Sequence, residues 1–76
     1  RKVVQIVSLE KISSLGIDKV DSNLLFEKGF IKNPNVIVKI LGNGNLDKPV
    51  EIIADMFSKS ALEKIEKIGG KVIYKL

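Results

Sequence analysis

Residues 36–55 read VIVKILGNGNLDKPVEIIAD, in which two short apolar runs flank a loop that contains glycine, asparagine and proline. The first run, residues 36–41, is rich in β-branched side chains and has the length of a strand. The second run, residues 50–55, alternates well enough to predict another strand. Its three residues on one face are Val50, Ile52 and Ala54.

The sequence on either side of this segment predicts two more strands. Residues 3–9 (VVQIVSL) form a nearly continuous β-branched apolar run, which is typical of a strand buried on both faces. Val72, Tyr74 and Leu76 alternate with other residues and predict a last strand.

Two helices are predicted between these strands. Asp21 is placed to cap a short helix that ends at Gly29, preceded by a loop with a short helical turn over residues 8–16. Residues 58–68 form the longest predicted helix, with an apolar stripe made of Ala61, Leu62, Ile65 and Ile68. The order strand, helix, strand, strand, helix, strand predicts one small α/β domain over residues 1–76.

Composition limits the chemistry open to this chain. Its 76 residues suffice for one domain, and 45% apolar with 29% charged residues are typical of a folded chain. Because cysteine and histidine are absent, thiolate and imidazole metal sites and histidine-based triads are excluded, and we expect no cofactor. No apolar run approaches the ~20 residues of a spanning helix, and no signal peptide opens the chain. We therefore expect a soluble, unexported protein without a membrane partner.

The formal net charge of +4 is carried mostly by lysines that are spread along the chain. A basic domain of this size favours a nucleic-acid partner, but a solvated lysine-rich surface explains the same charge equally well. Charge alone therefore leaves both interpretations open.

Ser58, Lys59 and Ser60 stand at the start of the longest predicted helix. A serine–lysine nucleophilic pair is disfavoured, because no recognisable oxyanion element or second base accompanies it. Ser60 with Glu63 predicts a capping box, and Ser58 is the alternative N-cap if the helix starts two residues earlier. Lys59 opposes the helix dipole, so it either points into water or indicates a bound phosphate.

The loop Gly42-Asn43-Gly44 is a weak nucleotide signature. It lacks the third glycine of a dinucleotide fingerprint and the Gly-Lys-Ser/Thr ending of a P-loop. Because a strand follows it, we expect no helix N-terminus beneath the glycines. We predict a turn between two strands that lets an RNA backbone come close.

The stretch KILGNGNLDKPVEIIADMFSKSALEKIEKIGG, residues 39–70, resembles the C-terminal signature of the bacterial and organellar ribosomal protein fifteen of the large subunit. Upstream, VDSNLLFEKGFIK is similar to the segment that introduces the short helix of this family. The matching positions are Lys39 with two aliphatic residues, Gly42, Gly44, Leu46, Val50, Ile52, Phe57, Ser58, Ala61, Ile65 and Gly69.

The resemblance implies a structural constituent of the large ribosomal subunit that binds large-subunit ribosomal RNA, supports subunit assembly and translation, and is not an enzyme. It implies an irregular superhelix of strand-strand-helix units and a location on the ribosome, in the bacterial cytoplasm or in an organelle matrix or stroma. Family members also carry a basic, glycine-rich N-terminal extension that is not seen here. We therefore expect residues 1–76 to be the globular C-terminal domain.

The expected mechanism is recognition of RNA backbone and shape, with lysines neutralising phosphates. The expected partners are large-subunit ribosomal RNA and neighbouring ribosomal proteins, with no small-molecule substrate. The alternative is a protein-interaction module without direct RNA binding. The residues predicted to contact RNA are Arg1, Lys2, Lys39, Gly42, Gly44, Ser58, Lys59 and Ser60.

Overall fold

A computed structural model describes residues 3–75 of the chain. Over these residues the chain forms six strands and three helices. The elements are β1 (Val4–Ser8), α1 (Leu9–Leu15), β2 (Lys19–Val20), α2 (Ser22–Glu27), β3 (Ile37–Leu41), β4 (Glu51–Ala54), β5 (Met56–Phe57), α3 (Lys59–Lys67) and β6 (Lys71–Tyr74).

The strands form two parallel three-stranded sheets, and the chain crosses from one to the other. The first sheet has the order β1-β3-β5 and the second has the order β2-β4-β6. Each turn of the chain therefore adds one strand to each sheet. The first turn is β1-α1-β2, and the third is β5-α3-β6. In the second turn, a loop connects β3 to β4. The α/β class is confirmed, and the repeating unit of the superhelix is strand, connection, strand.

The core is built from alternate residues of the central strands and from one face of each helix. In β3, Val38 and Ile40 are buried, and in β4 the predicted inward face, which includes Ile52, is buried as well. Helix α3 covers the core with Ala61 and Ile65, as its apolar stripe predicts. Burial of these aliphatic side chains is the main stabilising term of so small a domain.

The crossover from β4 to β5 is fixed by a single aspartate. The Asp55 carboxylate oxygen Oδ2 accepts a hydrogen bond of 2.8 Å from the Val38 amide, and the Asp55 amide donates to the Val38 carbonyl at 3.2 Å. One residue thus pairs with both polar groups of Val38 at the point where the chain changes sheets. This pairing satisfies backbone groups that would otherwise be left unpaired at the crossover.

The expectation that residues 3–9 form a strand buried on both faces is wrong. β1 lies at the edge of the first sheet and pairs only with β3, and its Val4 and Ile6 side chains are 49% and 60% exposed. Both lie on the outer face of that sheet, where Met56 of β5 is exposed as well. We use the term outer face for Val4, Ile6, Ile37, Lys39, Leu41 and Met56.

Several element boundaries differ from the sequence prediction. The segment expected to be a loop with a helical turn contains the full helix α1, which ends at Gly16 with φ of 68°. The two-residue strands β2 and β5 were not predicted, because their length carries no periodicity. The Asp21 cap of α2 is confirmed, since its Oδ1 accepts from the Leu24 amide at 2.9 Å. Leu76, predicted in the last strand, lies outside the described residues.

None of the helices within residues 3–75 is long and apolar enough to cross a membrane.

Candidate nucleic-acid interface

The three strands of the first sheet end at the same edge, because they run parallel. Helix α1 follows β1 directly, the loop of residues 42–44 follows β3, and α3 follows β5 after Ser58. Ligand sites of parallel α/β sheets are found at this carboxyl edge, where loops and helix N-termini meet. We call the loop of residues 42–44 together with residues 58–60 the carboxyl edge.

The two glycines of the loop allow close contact within the protein itself. A Cβ atom on Gly42 would overlap Ser60 Oγ and lie 2.8 Å from the Ala61 amide nitrogen in the first turn of α3. A Cβ atom on Gly44, where φ is 86°, would lie 2.9 Å from Glu10 Cα in the first turn of α1. The expectation that no helix N-terminus lies beneath the glycines is wrong, because the loop rests on a helix from the next turn of the superhelix.

Every carbonyl oxygen of the loop accepts a hydrogen bond from a helix. The Asn43 carbonyl accepts from the Glu10 amide at 2.9 Å. The Lys64 ammonium group donates to the carbonyls of Gly42 at 2.6 Å and Gly44 at 2.7 Å. Sequence reasoning missed Lys64. Its position three residues after Ala61 places it on the same helix face, but that matters only once Gly42 is known to lie against Ala61.

Ser58 is the N-cap of α3, so the capping box predicted for Ser60 is wrong and the alternative cap is confirmed. The Ser58 hydroxyl accepts from the Ala61 amide at 3.2 Å, and the Ser58 amide donates to the Ile40 carbonyl at 2.9 Å. The helix therefore begins at Lys59, earlier than the predicted box would start it. Lys59 and Ser60 are both exposed in a first turn without an acidic side chain.

Lys39 lies apart from the carboxyl edge. It occupies the middle of β3 on the outer face, in register with Ile6 of β1 and Met56 of β5. Two residues of strand lie between it and Gly42, which corresponds to a Cα–Cα distance of about 10 Å. The structure thus brings together five predicted residues and places Lys39 apart from them on the outer face. Arg1 and Lys2 lie outside the described residues. The five are Gly42, Gly44, Ser58, Lys59 and Ser60.

Most other contacts of charged side chains lie away from this edge. Among residues 3–75, the one ion pair joins Lys19 Nζ to Glu51 Oε2 at 3.7 Å. Lys48 donates to the Gly16 carbonyl at 2.9 Å and Lys75 to the Pro34 carbonyl at 3.3 Å. The described residues contain no group of three or more acidic, histidine or cysteine side chains placed to hold a metal ion.

Comparison with known proteins supports the resemblance drawn from residues 39–70. A family model that describes ribosomal proteins 50S-L15 and 50S-L18e together with a 60S counterpart matches residues 3–73. Large ribosomal subunit protein uL15 of Pseudothermotoga lettingae is 49% identical over 70 residues, covering 92% of this chain and 47% of that protein. The same protein of Thermosipho africanus is 48% identical over 69 residues, covering 91% and 46%. That of Mycoplasma mycoides subsp. mycoides is 40% identical over 72 residues, covering 95% and 50%.

The chain spans about half the length of these curated relatives. The family consists of structural ribosomal proteins and not of enzymes, and the expected family is confirmed. Since the family model covers nearly all of the sequence, the chain belongs to the family of ribosomal proteins that includes 50S-L15 and 50S-L18e.

Proposed function

We propose that this chain binds large-subunit ribosomal RNA through its carboxyl edge and in this way supports assembly of the subunit and translation. The observation that carries the proposal is the convergence of the loop of residues 42–44 with the start of α3, where Lys59 and Ser60 are exposed. The chain would act in the ribosome, and the relatives named above come from bacteria. That residues 1–76 form the globular C-terminal domain of a longer protein stays a prediction.

The start of α3 has the chemistry that a phosphate group requires. Free amide groups and the positive end of the helix dipole attract anions at a helix N-terminus. Lys59 adds a full positive charge in the same turn, and Ser60 adds a hydroxyl donor. Lysine supplies a point charge and not a bidentate fork, so the contact we propose reads backbone position and not base sequence.

Removing the charge of Lys59 is expected to lower the salt dependence of RNA binding. In Lys59→Ala, the slope of log affinity against log salt for a fragment of large-subunit ribosomal RNA should decrease by about one, because one phosphate loses its partner. Filter binding or fluorescence anisotropy over a salt series measures this slope. An unchanged slope in Lys59→Ala contradicts the proposed contact.

Lys71→Ala is the matched control for this measurement. Lys71 is also an exposed lysine, but it follows the carboxyl end of α3. The helix separates it from Lys59 by about 13 Å at 1.5 Å per residue. The control should keep the wild-type slope, and an equal decrease in both variants would indicate diffuse electrostatic attraction instead of a site at the carboxyl edge.

The outer face of the first sheet is a candidate for a second contact surface. Parallel sheets are ordinarily covered on both faces, yet Val4, Ile6 and Met56 are exposed on this one. Apolar side chains cannot pair with phosphates, so we propose that a neighbouring protein of the large subunit covers this face. Lys39, at the centre of this face, would then lie within the protein contact.

Site-directed crosslinking distinguishes the two surfaces, because the chain contains no native cysteine. A photoactivated crosslinker attached through Ile6→Cys should form adducts with protein in reconstituted large subunits. The same crosslinker attached through Ser60→Cys should form adducts with ribosomal RNA. Adducts of RNA at position 6, or of protein alone at position 60, would contradict the respective assignment.

A further inference from the structure

We infer that Lys64 is a positioning residue for RNA binding, which orients the loop of residues 42–44 without contacting RNA itself; this inference rests on the proposed function. Its ammonium group donates to the carbonyls of Gly42 at 2.6 Å and Gly44 at 2.7 Å. Between them, the Asn43 carbonyl accepts from the Glu10 amide at 2.9 Å. Three successive carbonyl groups are thus turned into the protein.

The direction of these carbonyls fixes the direction of the next amide groups. In a planar trans peptide, the C=O of one residue and the N–H of the next point to opposite sides, and the described chain contains no cis peptide bond. The amides of Asn43 and Asn45 therefore point away from the Lys64 ammonium group, and the Gly44 amide points away from Glu10. Asn43 and Asn45 are themselves exposed residues.

Backbone amides that face away from the protein attract anions, because each N–H is the positive end of a peptide dipole. The phosphate groups of RNA are anions of the appropriate chemistry, and Lys59 lies in the helix turn that borders the same loop. Lys64 itself is half-buried and directs two of its three donor hydrogens to carbonyls. Its effect on RNA is therefore transmitted through the loop, whereas Lys59 acts directly.

The test compares Lys64→Met with Lys67→Met, which removes the same charge from the same helix at an exposed position. Affinity for a fragment of large-subunit ribosomal RNA is measured over a salt series, at a temperature where circular dichroism shows both variants to be folded. Lys64→Met should weaken binding roughly tenfold, the equivalent of one charge-assisted hydrogen bond. Its salt slope should equal that of Lys67→Met, because neither change removes a phosphate contact.

Two results would overturn the inference. A salt slope lower by about one in Lys64→Met than in Lys67→Met would make Lys64 a direct phosphate contact. An affinity equal to that of Lys67→Met would leave Lys64 a purely structural role.

Hydrogen exchange of the Glu10 amide provides a readout that does not require RNA. This amide donates to Asn43, so it should exchange faster in Lys64→Met than in Lys67→Met if Lys64 holds the loop in place. Equal exchange in the two variants would overturn the inference. If the wild-type chain binds no RNA, the proposed function fails, and the exchange of Glu10 alone decides whether Lys64 orients the loop.

Discussion

Gly44→Ala is expected to lower the free energy of unfolding by about 2–5 kcal/mol, the sum of backbone strain and overpacking. Gly44 has φ of 86°, a conformation that side chains with a Cβ atom rarely adopt. The new Cβ atom would also lie 2.9 Å from Glu10 Cα, which belongs to helix backbone and cannot move aside cheaply. Urea denaturation followed by circular dichroism measures the loss.

Gly69→Ala separates the two causes of this loss. Gly69 has almost the same backbone angle, with φ of 83°, but nothing lies within 4 Å of the position that a Cβ atom would occupy. We expect the control to lose only the strain of about 1–2 kcal/mol. Equal losses in the two variants would mean that the loop of residues 42–44 does not pack against α1 as described.

Ile40→Ala is expected to destabilise the fold by about 2–5 kcal/mol, because it leaves a cavity in the central strand of the first sheet. Ile40 is fully buried, whereas Ile6 on the neighbouring strand is 60% exposed on the outer face. Ile6→Ala should therefore cost less than about 1 kcal/mol. The same denaturation measurement checks both. Similar losses would contradict the assignment of the two faces, since a shift of one residue in register exchanges them.

The elements that sequence reasoning placed correctly are those with local signals. The alternation of Val50, Ile52 and Ala54 predicted the inward face of β4, and all three are buried. The apolar spacing of α3 and the Asp21 cap of α2 were confirmed in the same way. In each case, the residues that determine the local structure lie close to one another in the sequence.

The features that sequence reasoning missed depend on contacts between distant parts of the chain. The composition of β1 is that of a buried strand, but its place at the sheet edge follows from the topology of all three turns. The two-residue strands β2 and β5 exist only because longer neighbours pair with them. No local pattern reports such pairings, since propensity describes a segment and not its neighbours.

The candidate site also combines features that have a local sequence signal with features that depend on contacts between distant residues. The sequence identified Gly42 and Gly44 as a loop with freedom of backbone conformation, but it did not reveal that the first turns of α1 and α3 occupy the space that the glycines leave open. Lys64 was missed for the same reason. Its partners are carbonyl groups 20 and 22 residues away, and every peptide unit carries a carbonyl.

Binding of RNA at the carboxyl edge can be mapped residue by residue. The direct experiment is a titration of the ¹⁵N-labelled chain with a fragment of large-subunit ribosomal RNA, followed by amide chemical shifts. We expect the largest shift changes in residues 42–45 and 58–60, and little change in β6. Changes spread evenly along the chain, or greatest in β6, would contradict RNA binding at the carboxyl edge.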